Sequence, residues 1–393
     1  MKEGWKMVKL GEVGTFTRGG GFLKRDYVED GYPCMHYGQI HMKLGVATTE
    51  HLSMIPHSLA IKSKIATKGD VIIAITSEDV EGSCKSTAWM GEYDIAIGAH
   101  TAIFKHNQNS LFLSYYFQSP QFNTLKRKYT RGFKVVEIKP SDIEKIEIPL
   151  PPLEEQHRIV SILDASFEKI DALKKNAEDN LKNAKALFQQ VLTQELKPKD
   201  GWVEKKLGEV ATFSQGVQVP LPEQSLIEQE GYSRFLRIID YTQGNESPRY
   251  TLINDSKYKM FKDDIAIVRY GASTGFICMG IEGILANNLF KININDYHFI
   301  YTYYLSYVLK SEIFQGKIKE QMNGAAMPAI SFGMIKNILL PFPINIEEQH
   351  RIVHTLDTLS EKCRRLEQVA QQTIRECDAL KQSILRQAFS GEL

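Results

Sequence analysis

The densest cluster of basic side chains lies between residues 126 and 134. Its basic members are Lys126, Arg127, Lys128, Arg131 and Lys134. Two aromatic residues, Tyr129 and Phe133, are interleaved with them. Lysine and arginine neutralise phosphate groups, and the donors at the ends of their side chains can read base edges. Most charged runs are solvated surfaces, but the density and aromatic neighbours of this one favour a contact with DNA.

A glycine-rich segment near the N-terminus, residues 17–21, also has basic neighbours. Arg18 lies inside it, and Lys24 and Arg25 follow it. A nucleotide-binding loop would end in Gly-Lys-Ser/Thr and lead into a helical pattern, and this sequence does neither. The segment is therefore predicted to be a flexible loop near a DNA backbone, with a plain surface turn as the alternative.

The second half of the chain offers different polar candidates. Gln215 and Gln218 replace the glycine-rich segment, a predicted strand covers residues 234–240, and a loop of small and polar residues covers 269–275. The candidates for DNA contacts here are Gln215, Gln218, Arg234, Arg237, Arg269, Tyr270, Ser273, Lys317, Lys319 and Asn323.

The sequence lacks the patterns that would indicate catalysis or a metal site. A base-flipping adenine methyltransferase would need an Asn-Pro-Pro-Tyr/Phe motif, and a phosphate loop would need Gly-x-x-x-x-Gly-Lys-Ser/Thr. His350 and His354 lie four positions apart, but a metal ion needs further ligands. The five cysteines have no metal-type spacing and suggest reduced thiols. We expect no catalytic residues and no metal.

Two other classes of function remain as alternatives. A self-sufficient methyltransferase or nuclease would be active as the purified chain alone, and the missing motifs count against it. A coiled-coil scaffold that does not read DNA would leave the clusters at 126–134 and 269–274 without a role. Neutralising those clusters would then not affect DNA binding.

A long internal repeat positions these candidates. Glu154-Glu155-Gln156-His157-Arg158-Ile159-Val160 returns as Glu347-Glu348-Gln349-His350-Arg351-Ile352-Val353, and each copy follows a proline-rich approach. The start of the chain also returns, because Trp5 and Leu10-Gly11-Glu12 match Trp202 and Leu207-Gly208-Glu209. The order is therefore globular unit, long helix, globular unit, long helix.

Each repeated motif opens a segment with heptad spacing. From Glu154 to about Glu195 the apolar positions recur every three or four residues, with Lys174 as a polar exception. The second copy has the same seam, in which Cys363 and Cys377 are predicted to be small core residues. A helix of about 40 residues is about 60 Å long and needs a partner helix.

These boundaries predict four segments. Residues 1–152 and 197–345 form the globular units, and residues 153–196 and 346–393 form the long helices. Buried strands are predicted at 70–75 and 264–268, and shorter helices at 111–122 and 301–314. A net charge of +1, with 43% hydrophobic and 24% charged residues, is ordinary for a soluble protein without a uniformly basic surface. No apolar run or signal region suggests a membrane, so we expect a cytoplasmic protein.

The whole array resembles the specificity (S) subunit of type I restriction–modification systems. The residues that carry the resemblance are the two Trp and Leu-Gly-Glu starts, the segment from Asn323-Gly324 to Ile330-Ser331, the Ile-Pro-Leu-Pro-Pro-Leu-Glu-Glu-Gln approach at 148–156, and the closing segments at 187–192 and 380–385. The resemblance covers nearly the whole chain.

The resemblance implies two target recognition domains of mixed α/β (α+β) fold with twisted sheets. Two long antiparallel coiled-coil helices would hold them apart with pseudo-two-fold symmetry. Each domain would read one half of a split, asymmetric site in double-stranded DNA. At about 3.4 Å per base pair, helices of this length limit the separation of the two readers to roughly 18 base pairs.

The resemblance also implies partners and cofactors. The chain would bind no cofactor itself. Two adenine-N6 modification subunits would use S-adenosylmethionine, and restriction subunits would use ATP and Mg²⁺. The predicted contacts with the modification subunits are Glu154, Glu155, Gln156, Arg158, Glu347, Glu348, Gln349 and Arg351.

Overall fold

The computed structural model describes residues 2–132, 134–243, 247–322 and 329–393. The chain divides into two compact units. The first comprises Met1–Glu178 and Gln371–Leu393, and the second comprises Asp179–Ala370.

The first half of the chain alternates short strands with short helices. Its strands are β1 (Lys6–Lys9), β2 (Gly14–Arg18), β3 (Tyr32–Met35), β4 (Ala47–Thr48), β5 (Ser53–Ile55), β6 (Lys64–Ala66), β7 (Val71–Ala74), β8 (Thr76–Ser77), β9 (Ser86–Trp89), β10 (Ile95–Ile97), β11 (Thr101–His106), β12 (Val136–Glu137) and β13 (Glu147–Leu150). Its helices are α1 (Leu10–Val13), α2 (Tyr37–Met42), α3 (His57–Ala60), α4 (Ser110–Phe117), α5 (Pro120–Lys126), α6 (Pro140–Ile143) and α7 (Leu153–Glu195). Short 3-10 helices cover Lys24–Asp26 and Arg127–Tyr129.

The second half repeats this order with fewer strands among its described residues. The strands are β14 (Trp202–Lys206), β15 (Ala211–Gln215), β16 (Ser233–Leu236), β17 (Arg249–Thr251), β18 (Lys259–Met260), β19 (Ile265–Val268), β20 (Ile277–Cys278), β21 (Gly283–Leu285), β22 (Leu289–Ile294) and β23 (Leu339–Pro343). The helices are α8 (Leu207–Val210), α9 (Ile238–Thr242), α10 (Thr302–Lys310), α11 (Glu312–Met322), α12 (Phe332–Ile335) and α13 (Ile346–Ser390). Short 3-10 helices cover Leu221–Glu223 and Ser256–Tyr258.

Two sheets form the body of the first unit. One has the strand order β2-β11-β7-β9-β4 and the other has the order β5-β3-β10-β6. Strand β7 is buried on both faces, because Val71 and Ile73 join one core cluster while Ile72 and Ala74 join another. This alternation is the two-residue period of a strand. The buried strand predicted at 70–75 is confirmed.

The second unit repeats the arrangement with the strand orders β15-β22-β19-β20 and β17-β16-β21-β18. Strand β19 is the counterpart of β7. Ile265 and Ile267 face one core cluster, and Ala266 and Val268 face another. The buried strand predicted at 264–268 is therefore confirmed as well.

Both long helices are present, with 43 residues in α7 and 45 residues in α13. Within the first unit, Lys174 Nζ lies 2.6 Å from Asp378 Oδ1, and Lys381 pairs with Asp171. Because residue numbers rise along one helix as they fall along the other, these two segments are antiparallel. The polar seam position, Lys174, is thus satisfied by an ion pair between the helices.

The segments of α7 and α13 in the second unit also pack along the predicted seam. Ala184, Leu356 and Cys363 are buried, and Arg351 pairs with Glu195 at 2.8 Å. Cys363 and Cys377 are only 4% and 6% exposed, which confirms both as core residues. No helix within the described ranges is both long enough and apolar enough to cross a membrane.

Four predicted elements differ from the structure. The glycine-rich loop predicted at 17–21 begins inside a strand, because Thr17 and Arg18 belong to β2. The helix predicted at 111–122 is interrupted, because Pro120 has no N–H and starts α5, while Ser119 Oγ caps that helix by accepting from Phe122 N. The helix predicted at 301–314 is interrupted at Ser311. The strand predicted at 234–240 ends at Leu236, because the next residue caps α9.

Candidate nucleic-acid interface

In each unit, two neighbouring parallel strands end at the same edge of a sheet. They are β3 and β10 in the first unit and β16 and β21 in the second. The loops that follow the carboxyl ends of parallel strands lie side by side, and such places commonly bind ligands. We call this place the loop edge of each unit.

Backbone hydrogen bonds align the two loop edges residue by residue. Gly98 N donates to Met35 O at 2.9 Å, and Ala286 N donates to Leu236 O at 3.0 Å. The residues that follow β7 and β19 are aligned in the same way, because Ile75 N donates to His100 O and Arg269 N donates to Asn288 O. In this register Arg18 corresponds to Gln215, and His36 corresponds to Arg237. His100 corresponds to Asn288, and Glu137 corresponds to Ala329.

Tyr37 lies at the centre of the first loop edge and is surrounded by histidines. Its ring centroid is 4.4 Å from that of His36, 5.3 Å from that of His100 and 6.0 Å from that of His41. Burial, together with electrostatic interactions with His100 and Lys24, lowers the pKa of His36. Its imidazole is therefore neutral at pH 7, with one donor and one acceptor nitrogen.

The sequence analysis did not identify these histidines. His36 and His100 are far apart in the chain and come together only because β3 pairs with β10. The predicted candidate Arg18 does lie at this edge, where its guanidinium is 2.8 Å from Glu137 Oε1. Lys24 and Arg25 are exposed on the 3-10 helix that follows.

The second loop edge contains three predicted candidates. Arg237 donates to Asp240 through Nε at 3.0 Å and through its terminal nitrogen at 3.1 Å. Such a two-point pair with a buried carboxylate fixes the guanidinium in place. Arg234 lies 3.7 Å from the same carboxylate, and Gln215 Nε2 donates to Asn287 O at 3.1 Å.

The loop after β19 joins the same edge. The guanidinium carbon of Arg269 lies 5.9 Å from the ring centroid of Tyr270, which is exposed. Ser273 is partly buried in the following turn, where its carbonyl accepts from Phe276 N at 3.0 Å. Gln218 is exposed and accepts a hydrogen bond from Asn287 Nδ2 at 3.3 Å. Arg269, Tyr270 and Gln218 are thus placed where a ligand at the edge could meet them.

The remaining candidates of the second unit are not gathered in this way. Lys317 and Lys319 lie on α11 and form ion pairs with Glu320 at 3.0 Å and Glu312 at 3.2 Å on the same helix. Both lysines are exposed, but these pairs already offset their charge. Asn323 lies outside the described residues.

One member of the basic cluster is a structural residue. Lys126 has no solvent exposure, and its ammonium donates to Glu81 O at 2.9 Å and to Ser83 O. Burial lowers the pKa of this lysine. The prediction that Lys126 contacts DNA is therefore wrong in this structure, because its side chain is enclosed and bound to the loop before β9.

The other basic residues of the cluster are exposed. Arg127 pairs with Glu81, and Arg131 lies 3.3 Å from Asp142. Lys128 lies over the ring of Tyr129, with Nζ 5.0 Å from the ring centroid. Lys134 is also exposed, while Phe133 lies outside the described residues. Four of the five predicted cations therefore lie at the surface, and ion pairs offset the charge of two of them, Arg127 and Arg131.

The repeated Glu-Glu-Gln-His-Arg motif has a structural role that the sequence did not show. Gln156 Oε1 accepts from Asn109 N at 3.0 Å, and Nε2 donates to Pro151 O at 2.9 Å. Gln349 does the same in the second unit, where it accepts from Tyr301 N at 2.9 Å and donates to Pro343 O at 3.1 Å. Both glutamines are completely buried, which removes them from the predicted subunit contacts.

The charged residues of the motif are nearer the surface. Arg158 pairs with Glu155 at 2.6 Å, and that hydrogen bond lowers the pKa of Glu155 to about 2. Arg351 pairs with Glu348 at 2.8 Å in the second unit. Glu154 and Glu347 are the first acidic residues of the two copies, and both lie at helix N-termini. These six residues remain candidates for subunit contacts.

The side chains of the described ranges include no group of three or more His, Cys, Asp or Glu residues arranged to hold a metal ion. The side chains described at the two loop edges include hydrogen-bonding and charged groups. Such groups can bind phosphates and base edges without a bound ion.

Comparisons with known proteins agree with the duplicated architecture. The family model of the type I restriction modification DNA specificity domain matches twice, at residues 2–183 and 199–376. The chain is 23% identical over 429 residues to the type I restriction enzyme StySPI specificity subunit of Salmonella potsdam, covering 100% of this chain and 90% of that protein. It is 25% identical over 429 residues to the EcoKI specificity subunit of Escherichia coli, with the same coverage.

Solved structures share the fold. One chain comes from work on the assembly and conformational transition of the type I R-M system, and it matches with a TM-score of 0.77 and 23% identity, covering 100% of this chain and 99% of that one. The HsdS subunit from Thermoanaerobacter tengcongensis matches with a TM-score of 0.56 and 23% identity, covering 100% and 98%. With two family matches that together span most of its residues, the chain belongs to the type I restriction–modification DNA specificity family.

Proposed function

We propose that this chain is the non-catalytic DNA-reading subunit of a type I restriction–modification complex. Each globular unit reads one half of a bipartite, asymmetric site in double-stranded DNA. The observation that carries this proposal is the pair of loop edges, which share one backbone register but present different side chains. One scaffold with two sets of polar groups suits two different half-sites.

The exposed cations supply the sequence-independent part of binding. Lys128 and Lys134 are exposed in the basic segment of the first unit, and Arg269, which is partly buried, lies at the second loop edge. Contacts of this kind position a protein on DNA, whereas the loop-edge side chains distinguish bases. A net charge of +1 for the whole chain is compatible with this division, because only local patches need to be basic.

The long helices are proposed to set the unread spacer between the half-sites. Their seams are buried in both units, and the ion pair of Lys174 with Asp378 helps to fix the register of the two segments. A rigid helix converts a fixed number of residues into a fixed length. The gap in the recognised site should therefore depend on the number of heptads.

The exposed surfaces that flank the seam of the helices are proposed to bind two adenine-N6 methyltransferase subunits, one for each unit. A groove of about 660 Å³ in the first unit includes Phe167, Asp171 and Lys381. A groove of about 410 Å³ in the second unit includes Phe188 and Arg364, which occupy the positions of Lys381 and Asp171 in the repeat. Two related grooves on repeated helices suit two copies of one partner.

The cofactors belong to the partners in this proposal. The methyltransferase subunits use S-adenosylmethionine, and the restriction subunits use ATP and Mg²⁺. This chain then directs methylation or cleavage to a DNA sequence and takes no part in the chemical reactions of its partners. Its relatives are restriction enzyme specificity subunits, which supports this role.

The test is methylome sequencing of cells that express the chain with its modification subunit. We expect N6-methyladenine in a split, asymmetric motif with a fixed gap. A continuous or palindromic motif would contradict two independent readers. Binding of purified complex to the identified site, in competition with unrelated DNA, separates recognition from methylation.

A further inference from the structure

We propose that the last residue of the turn between β10 and β11, and its counterpart between β21 and β22, set the base specificity of each half-site. These residues are His100 in the first unit and Asn288 in the second. The ligand is the hydrogen-bonding edge of a base in duplex DNA. This inference rests on the proposed function and deepens it.

The two residues occupy the same place in the backbone. His100 O accepts from Ile75 N at 3.0 Å, and Asn288 O accepts from Arg269 N at 2.9 Å. The next residues along the chain are Thr101 and Leu289. The carbonyl oxygen of Thr101 accepts a hydrogen bond from Gly19 N at 2.8 Å, and that of Leu289 accepts one from Gly216 N at 3.2 Å. The scaffold is thus repeated around both positions, and the side chain is the part that differs.

Close backbone packing holds the turn in place. A Cβ atom on Gly19 would collide with Gly98 O, and a Cβ on Gly216 would collide with Ala286 O. Glycine is therefore required at both positions by the same approach of β2 or β15 to the turn. A side chain on a turn fixed in this way is well placed for recognition, because little ordering is needed on binding.

His100 is directed by its backbone and its neighbour. It has a positive φ of 67°, which non-glycine residues adopt uncommonly, and its side chain is exposed. The ring centroid of His100 lies 5.3 Å from that of Tyr37, and the ring centroid of His36 lies 4.4 Å from the same tyrosine. The imidazole is thus supported on one side and open on the other, where its nitrogens can meet a base.

Asn288 presents different chemistry at the same position. Asn288 is partly exposed, and its Oδ1, which is buried, has no hydrogen-bond partner within the described part of the chain. Arg237, fixed by Asp240, lies on the neighbouring strand end. An amide can both accept and donate, and asparagine pairs well with adenine, whereas an imidazole offers two nitrogens on a rigid ring. The two units should therefore prefer different bases.

The alternative is that His100 has only a structural role and packs against Tyr37. In that case its replacement would change stability and leave the recognised sequence unaltered. The corresponding alternative for Asn288 is that it only suits the backbone conformation of the turn. Asparagine tolerates positive φ better than most residues, so His100→Asn should preserve the first turn.

The experiment uses the complex of the full chain with its methyltransferase subunits. The methylome of the wild type first gives the two half-sites. His100→Asn, Asn288→His and the control His51→Asn are then compared by competition binding to DNA with single-base changes in each half. His51 is partly buried, and its ring hydrogen-bonds to the hydroxyl of Tyr93, away from the loop edge. Thermal melting of each variant checks that it is folded.

We expect His100→Asn to reduce discrimination at one position of one half-site about tenfold and to leave the other half-site unchanged. Asn288→His should do the same in the opposite half-site, and His51→Asn should match the wild type. If both loop-edge variants discriminate bases as the wild type does, the specificity proposal is wrong while two-reader recognition stands. If the wild type has no split motif, the proposed function itself fails.

Discussion

Lys126 and Lys128 lie two positions apart in the same basic segment, yet their surroundings differ completely. The ammonium of Lys126 is enclosed and binds the carbonyls of Glu81 and Ser83. That of Lys128 is exposed above the ring of Tyr129. A buried donor that satisfies two carbonyls stabilises the fold, whereas an exposed cation can replace the counterions of a phosphate.

We predict opposite results for replacement of these two lysines by methionine. Lys126→Met should lower the free energy of unfolding by about 1–3 kcal/mol, because two buried carbonyls lose their donor. It should leave the salt dependence of DNA binding unchanged. Lys128→Met should change stability by less than about 0.5 kcal/mol and reduce the slope of log K against log salt by about 0.9. Urea unfolding and binding titrations at several salt concentrations measure both effects.

Each lysine is the matched control for the other. A reduced salt slope in Lys126→Met without loss of stability would place this ammonium on DNA, against the structure. An unchanged slope in Lys128→Met would remove the phosphate contact from this position. Charge density in the sequence identified the segment, but burial depends on how α5 packs against the loop before β9, and no local pattern encodes that packing.

At the level of elements, the start of each long helix is attached to its own unit by a buried glutamine. Gln156 links α7 to the start of α4 and to Pro151, while Gln349 links α13 to the start of α10 and to Pro343. Two tyrosine hydroxyls reinforce these attachments, because Tyr115 donates to Asp164 and Tyr307 donates to Asp357, both at 2.6 Å.

We predict that Gln156→Leu destabilises the first unit and Gln349→Leu the second, each by about 2–4 kcal/mol. Each change leaves a buried N–H and a buried carbonyl without partners, and each such group costs roughly 1–3 kcal/mol. Hydrogen exchange followed by peptide should show faster exchange of α4 in the first variant and of α10 in the second. Gln190→Leu, on an exposed position of α7, is the control. Equal exchange in all three variants would show that the glutamines do not hold the helices.

The long helices were predictable because their heptad seam repeats over many turns, so that many apolar positions indicate the same helical periodicity. The helices at 110–126 and 302–322 were harder, because their apolar residues run through breaks that depend on single residues. Ser119 and Pro120 end one helix and begin the next, and this local capping outweighs the apolar periodicity.

For the whole molecule, the sequence repeat was the strongest source of prediction. It gave two globular units and two long helices, since the seven residues from Glu154 to Val160 return unchanged from Glu347 to Val353. It did not show the loop edges. His36 and His100 belong to the parts that have diverged between the two copies, and only the parallel pairing of β3 with β10 brings them together.

The repeat also motivates a test of the spacer. Deleting one heptad, residues 179–185, from the first long helix keeps the seam in phase but shortens that helix by about 10 Å. We predict a shorter gap in the recognised site or loss of binding, since the partner helix keeps its length. Deleting a matching heptad from both helices should shorten the gap by about three base pairs, at about 3.4 Å per pair. Methylome sequencing measures the gap directly.

The control replaces residues 179–185 with the equivalent residues 372–378 of the second copy, which changes the sequence and keeps the length. Its gap should equal that of the wild type. If the double deletion retains the original gap with both half-sites intact, the helices do not determine the spacing. The distance between the readers would then have to be set by the partner subunits or by the DNA, and α7 and α13 would serve only to bind those subunits.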